Sequence, residues 1–373
     1  MFAALLQTLR EECETVIRSV RTNELLRQRL AAPIPAAGED LLADVRLLAP
    51  DFVQWRVYDH CAALTRFYAA YECFVFKLIE NWVVMLPDVY LHYSDLPDRV
   101  KTNHRRGIGQ ILIHLADGAF QKKHSETVVV SAASDGPLGR APYTLLPSAF
   151  LAGNPNLRFE TLLSLLSKVG IQGAKEWITH HPGVREYLET ERADEVTVEK
   201  ELDTFIEIRN TAAHDSVGQI LAIEEIERVG KFLVALGLSV AELVTRALLG
   251  RRLEMRQATE VGVVIHKWKD NISGVEAGEC TLAVNDELFA YGETVCCRVS
   301  VLSMQVEHVN RQRIDATAGL HVGMRLTRAL QVGTKLVRFL GSPAIQAPVA
   351  PPPDEPRVIE RAPEVPPADV NPN

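Results

Sequence analysis

Through the first two thirds of the chain, apolar positions recur every three to four residues. In residues 2–30, Leu5, Leu9, Val16, Val20 and Leu25 alternate with charge, which predicts an amphipathic helix ending at the breakers Pro33 and Pro35. Such a helix is expected to act as a lid or a dimerisation arm. Residues 58–86 form a long stretch almost free of glycine and proline and rich in aromatic and aliphatic side chains, which predicts a core helix. A basic helical segment follows from Asp98. Residues 125–156 lose the helical period and collect Gly136, Pro137, Gly139, Pro142, Pro147, Gly153 and Pro155. That composition predicts a long insertion, and loops of such length inside compact domains are frequently functional. Helical period returns over residues 158–169, 186–192, 196–213 and 222–255. The last of these contains the run FLVALGLSVAELVTRALL, apolar on most faces, and should pack centrally. A bundle of four or more helices is the economical architecture.

At about Thr259 alternation replaces the helical period. The segments VGVVIHKW, ECTLAV, ETVCCRVSVLSMQVEHV, HVGMRLTRAL and TKLVRFL are short and β-rich, with turn signals at Gly274, Asn285-Asp286, Gly292 and Gly333. About eighty residues of this kind predict a small antiparallel barrel. Beyond Gly341, ten of the 20 prolines crowd into the remaining residues with few large apolar side chains, so this tail is expected to be disordered. The expected organisation is multidomain α + β. An N-terminal helical arm (1–54) precedes an all-α helical domain (55–256), a small antiparallel β-barrel (259–341) and a disordered Pro-rich tail (342–373).

Composition narrows the class. The 373 residues exceed one simple core, and 47% hydrophobic with 24% charged residues is ordinary globular usage. A net charge of −8 means that any nucleic-acid contact must rest on a local basic patch. One candidate lies between Asp98 and His124: Arg99, Lys101, His104, Arg105, Arg106, Lys122, Lys123 and His124, interleaved with apolar residues. A solvated helix face is the plainer reading, and a phosphate-contacting surface built on Lys101, Arg105, Arg106, Lys122 and Lys123 is the functional one. The six cysteines are scattered without zinc-site spacing and read as reduced and structural, so no metal and no cofactor are expected. The apolar N-terminus soon meets Arg10, Glu11 and Glu12, so no secretory segment is evident. No run of eighteen apolar residues occurs, and a cytoplasmic protein is expected. His180-His181-Pro182 reads as a surface turn, Arg106-Gly107-Ile108-Gly109 follows no strand as a nucleotide cradle would, and Cys296-Cys297 point to opposite faces of a strand.

The strongest chemical signal is Glu207-Ile208-Arg209-Asn210-Thr211-Ala212-Ala213-His214-Asp215. Val198, Leu202, Phe205, Ile206, Ile208 and Ala212 place it at the C-terminal end of an amphipathic helix, before Asp215, Ser216 and Gly218 interrupt the pattern. Histidine titrates near neutrality and passes protons, and a guanidinium offers a fixed fork of donors suited to phosphate. Together they can cleave a phosphodiester without a metal, and RNA supplies its own 2'-hydroxyl nucleophile. On an uninterrupted helix, five steps of about 100° set Arg209 and His214 about 140° apart, on different faces. Either the helix unwinds near Ala213, or a second subunit completes the site. The plain alternative is a helix-terminal ion pair or carbonyl cap.

The RNTAAH motif at residues 209–214, the aromatic helix RFYAAYECFVFKLIENW at residues 66–82 and a further long helix after the motif resemble the HEPN superfamily of helical ribonucleases, in its RiboL-PSP/MAE-like branch. The resemblance implies a metal-independent endoribonuclease that works as a homodimer, with two motifs meeting at the interface and 2',3'-cyclic phosphate products. His214 would be the general base or acid, Arg209 would hold the scissile phosphate, and Asn210 would orient backbone or phosphate. Glu72, on the aromatic helix, would be the polar residue facing the motif. Tyr68 and Tyr71 read as core or interface aromatics. RNA, such as tRNA or mRNA, and an antitoxin or defence-system protein are the implied partners of a toxin or phage-defence effector. A non-catalytic HEPN module binding nucleotide or a protein partner is the competing reading, and a helical component of a larger defence complex is a third. The barrel, about residues 261–340, resembles the second domain of translation elongation factors through Ser303-Met304-Gln305 and the turn from Ala318 to Gly323, without any GTP-binding motif.

Overall fold

The computed structural model describes residues 2–33, 41–116, 125–151, 156–192, 196–214, 220–269 and 271–340. Two hydrophobic cores account for the architecture, one helical and one within a barrel. The helical part runs α1 (Ala3–Ala31), α2 (Ala43–Leu48), α3 (Phe52–Val89), α4 (Asp98–Ala116), α5 (Glu126–Ser134), α6 (Ser148–Leu151), α7 (Phe159–Lys168), α8 (Ala174–His180), α9 (Pro182–Glu191), α10 (Val198–His214) and α11 (Ile223–Glu254). α3 starts where Asp51 caps it, its carboxylate accepting from the Val53 and Gln54 amides at 2.9 and 3.1 Å. Three long helices, α1, α3 and α11, lie side by side as the spine.

Leu9, Cys13, Val16 and Val20 of α1 are buried in the same core as α3 and α11, so the first helix is part of the bundle and not a detached arm. α11 is long and apolar enough to cross a membrane by length and composition, yet 72% of its most apolar window is buried inside the fold. Its apolarity is that of a central core helix. The stretch read as an insertion holds two helices, α5 and α6. Ser125 caps α5 by accepting from the Val128 amide at 3.4 Å, and Val129 and Ala132 bury one face. Gly107 lets α4 touch α6, for a Cβ there would fall 1.8 Å from the Ala149 carbonyl oxygen. The crossing is made by backbone contact, which a sequence periodicity does not reveal.

The second core is enclosed by β1 (Ala258–Lys267), β2 (Ile272–Ala277), β4 (Glu287–Tyr291), β5 (Cys296–Val306), β8 (Leu320–Leu326) and β9 (Lys335–Phe339). These pair antiparallel in the order β4-β9-β1-β2-β8-β5, and β5 returns to β4, which closes a six-stranded barrel. β6 (Val309–Arg311) extends β5, and β3 (Cys280–Ala283) pairs with β7 (Arg313–Ala316) as a separate ribbon. Alternation along β8 sends Val322, Met324 and Leu326 inward and His321 and Arg325 outward, as period two requires. The Pro-rich tail lies outside the described residues.

Bundle and barrel meet at a buried polar seam. Glu242 of α11 accepts from the Cys296 amide at 2.9 Å and from Arg328 at 2.6 Å, and its carboxylate lies 3.4 Å from Nε2 of His181. His181, expected in a surface turn, is fully buried there, while its neighbour His180 is exposed. Pro182 opens α9 directly after it, and the short link between α8 and α9 turns the His181 ring inward. Burial pushes the Glu242 pKa up, but His181, Arg328 and the Cys296 amide outweigh it and hold the carboxylate below its ordinary value.

Candidate functional site

The motif helix α10 packs against α3, and the contact is built around one ring. The Arg209 guanidinium lies flat over Tyr68, its central carbon 3.5 Å from the ring centroid. One terminal nitrogen of Arg209 donates to Asn156 Oδ1 at 3.1 Å. Its Nε is buried and has no hydrogen-bond partner among the described residues. Tyr68 is fixed in turn: its hydroxyl donates to Glu72 Oε1 at 2.9 Å and accepts from the Leu157 amide at 3.0 Å. Tyr68 and Glu72 stand four residues apart and so share a helix face. Burial raises the Tyr68 pKa, with the Glu72 carboxylate adding to the rise, so the phenol remains protonated and keeps donating.

A short strap, residues 156–159, ties the two helices. Besides the Asn156 contact, Asp203 of α10 accepts from the Phe159 amide at 3.1 Å at the start of α7, and Arg158 pairs with Glu207 at 3.1 Å. Tyr71, fully buried, donates its hydroxyl to the Leu157 carbonyl at 3.2 Å. The guanidinium is thereby held by aromatic face, amide oxygen and strap in a single orientation. Much of its side-chain entropy has therefore already been lost in folding.

Glu72, singled out from the sequence, therefore reaches Arg209 through Tyr68 and not directly. Asn210 is half-buried beside it. α10 remains helical to its last residue, His214, whose side chain lies outside the described residues, as do Asp215, Ser216 and Gly218. A continuous helix keeps the five-step divergence of about 140° between Arg209 and His214. The helix does not unwind near Ala213.

The proposed basic surface is only partly a surface. His104 is buried, with Nε2 accepting from the Leu146 amide at 3.0 Å and the ring stacked on Phe150, and burial pushes its pKa down to about 4. It is a neutral packing residue, selected by the partner that α6 brings to it. Lys101 pairs with Asp98 at 2.9 Å and donates to the Ser94 carbonyl at 3.1 Å, while Arg105 and Arg106 are exposed. Among the described residues no contact joins these three to Arg209, Tyr68 or Glu72. Lys122 and Lys123 lie outside the described residues.

Two roles escaped the sequence reading. Tyr68 stands among residues expected as core or interface aromatics, though its spacing to Glu72 carries a signal; Asn156 carries none, because its partner is remote in the chain. His60 of α3 is a third polar group of this region, buried and accepting from the Leu221 amide at 3.2 Å, with its pKa lowered by burial. It anchors the chain between the motif and α11. Among the described residues no group of three or more His, Cys, Asp or Glu side chains is placed to hold a metal ion.

No curated protein matches the sequence. A solved structure with some likeness is the selenomethionine variant of the C-terminal domain of a putative U32 peptidase from Geobacillus thermoleovorans. It is 13% identical, covers 21% of this chain and 99% of that chain, and has a TM-score of 0.20. The family model described as RiboL-PSP-HEPN matches residues 39–246, which is more than half of the chain and takes in α3, the strap and the motif helix. By that match the chain belongs to the RiboL-PSP-HEPN family.

Proposed function

We propose that this protein is a metal-independent endoribonuclease whose working unit is a homodimer. The observation that carries this reading is the clamped Arg209 at the end of a continuous helix. The guanidinium is preorganised, and its place five residues before His214 on the same helix suits a site for charge that builds on a phosphate. His214 would take the proton from a ribose 2'-hydroxyl or give one to the leaving 5'-oxygen, and Asn210 would orient the phosphate or nearby backbone. Glu72 and Tyr68 would hold Arg209. Because the two motif positions lie five steps apart on one continuous helix, His214 of one protomer would meet Arg209 of its partner across a twofold axis. Attack of the 2'-oxygen on phosphorus with loss of the 5'-oxygen leaves a 2',3'-cyclic phosphate. Lys101, Arg105, Arg106, Lys122 and Lys123 would supply phosphate contacts for RNA on α4 and beyond it. In a cell such an activity suits a cytoplasmic toxin or phage-defence effector restrained by an antitoxin or defence-system partner.

A second reading rests on the same arginine. Arg209 is already engaged by Tyr68 and Asn156, as it would be in a non-catalytic module that binds nucleotide or a protein partner. The deciding experiment is cleavage of labelled RNA in chelator by the wild type, Arg209→Ala and His214→Ala, with folding followed by circular dichroism. Cleavage by the wild type alone, leaving cyclic-phosphate ends, supports the nuclease. Equal cleavage by both variants rejects this site.

A further inference from the structure

The outer face of the barrel carries a groove that the proposed nuclease site does not use. Its floor is a row of cross-strand partners: His266 of β1 opposes Gly274 of β2, Gly274 opposes Gly323 of β8, and Gly323 opposes Gln305 of β5. The two adjacent glycines leave the middle of the floor without side chains. Trp268 lies across one of them, for a Cβ on Gly274 would come within 2.9 Å of the indole, and the indole packs on His266 with ring centroids 4.4 Å apart. Even so, Trp268 is 50% exposed, and the cavity it walls measures about 740 Å³, with Ile265, Ile272 and His308 also on its rim. A half-exposed tryptophan beside two exposed isoleucines above a flat floor is an apolar slot without an occupant among the described residues.

We propose that this slot receives the proline-rich segment 351–356 of the same chain, docked as a polyproline II strand on Trp268. Three observations favour that occupant. The first is chemical: three consecutive prolines favour the extended polyproline II conformation at little entropic cost, and rigid pyrrolidine rings pack on indole faces in grooves of this kind. The second is reach. The Leu340 amide donates to the Gln257 carbonyl at 2.9 Å, so the tail departs beside the start of β1, and His266 lies eight residues further along that strand, about 26 Å away. β9 runs antiparallel to β1, so the tail must first reverse; Pro353 stands thirteen residues beyond Leu340, about 40 Å of extended chain, enough for a turn and the length of the strand. The third is charge. Asp354 and Glu355 follow the prolines directly; exposed Lys269 lines the slot and exposed Lys267 precedes Trp268, against one acidic lining residue, Glu307. Tethering on a short linker gives an effective concentration of roughly 1 mM, so an intrinsic dissociation constant of about 100 µM fills the groove to about nine tenths. The inference is independent of the nuclease reading.

The test uses the full chain and the indole N–H signals of its four tryptophans, with that of Trp268 assigned by its loss in Trp268→Phe. A variant carrying Pro351→Ser, Pro352→Ser and Pro353→Ser should move the Trp268 signal and leave those of the buried Trp82 and Trp177 in place. A synthetic peptide of residues 347–356, added to that variant, should return the signal saturably, while the wild type should ignore it. An unchanged Trp268 signal in the triple variant overturns the proposal, as does a peptide that fails to restore it. A wild-type signal that depends on protein concentration assigns the groove to another copy's tail and overturns docking in cis. Movement by oligouridylate but not by the peptide makes the groove a site for single-stranded RNA instead.

Discussion

Protonating His104 should destabilise this protein from within α4. The ring is buried, accepts a hydrogen bond from the Leu146 amide, and has its pKa pushed down to about 4 from 6.5 by burial alone. Because the folded value lies below the unfolded one, the stabilisation is complete above about pH 6.5 and is lost as the pH falls toward 4, where the unfolded chain binds the extra proton. A difference of about 2.5 units at 1.36 kcal/mol per unit gives a limit of roughly 3 kcal/mol, of which about 2 kcal/mol is lost by pH 5. That is a large part of the stability of a typical domain. Urea unfolding at about pH 7.5, 6 and 5 measures it. His104→Gln should be less stable at neutral pH but flatter with pH, since the amide oxygen can accept from Leu146 without titrating. His60, also lowered by burial, contributes in the same direction, so the variant keeps a residual slope. A wild type whose stability is constant between pH 7.5 and 5, or a His104→Gln variant with an undiminished slope, would refute the argument.

Three further outcomes follow from the geometry. If the active site combines His214 of one protomer with Arg209 of the other, mixing Arg209→Ala with His214→Ala should restore RNA cleavage to about a quarter of wild type, since half the dimers are mixed and each has one intact site; no restoration would place both groups in one chain. Tyr68→Phe keeps the ring under Arg209 but leaves the Leu157 amide unpaired, an expected loss of about 1–3 kcal/mol in urea unfolding with cleavage retained, whereas Tyr68→Leu should also abolish cleavage by freeing the guanidinium. Equal cleavage by the two would show that the stack does not matter. Gly107→Ala drives a methyl into the Ala149 carbonyl and should lower stability by about 3 kcal/mol through separation of α4 from α6, while Gly109→Ala, which meets no atom within 4 Å, should be neutral or stabilising in the same melts.

The sequence by itself determined the types of the long elements, because those depend on local period; α5 and α6, short and in a Gly- and Pro-rich stretch, were not legible. The spacing of Val198, Leu202, Phe205 and Ile206 makes α10 a helix wherever it packs, and the alternation after Thr259 forces strands that must close on one another. It also placed Arg209 and His214 at the end of that helix and singled out Glu72. Tertiary structure decided which polar side chains were given partners. Arg209 and Tyr68 are 141 positions apart in the chain, and Leu146 and His104 are 42 apart, so neither pairing leaves a trace in a local pattern. The same holds for His181, read as surface and buried against Glu242, and for α1, whose apolar stripe did not say what it would cover. Burial of a charged or titratable group is favourable only when a particular donor or acceptor arrives with it. That arrival is a property of the folded chain alone.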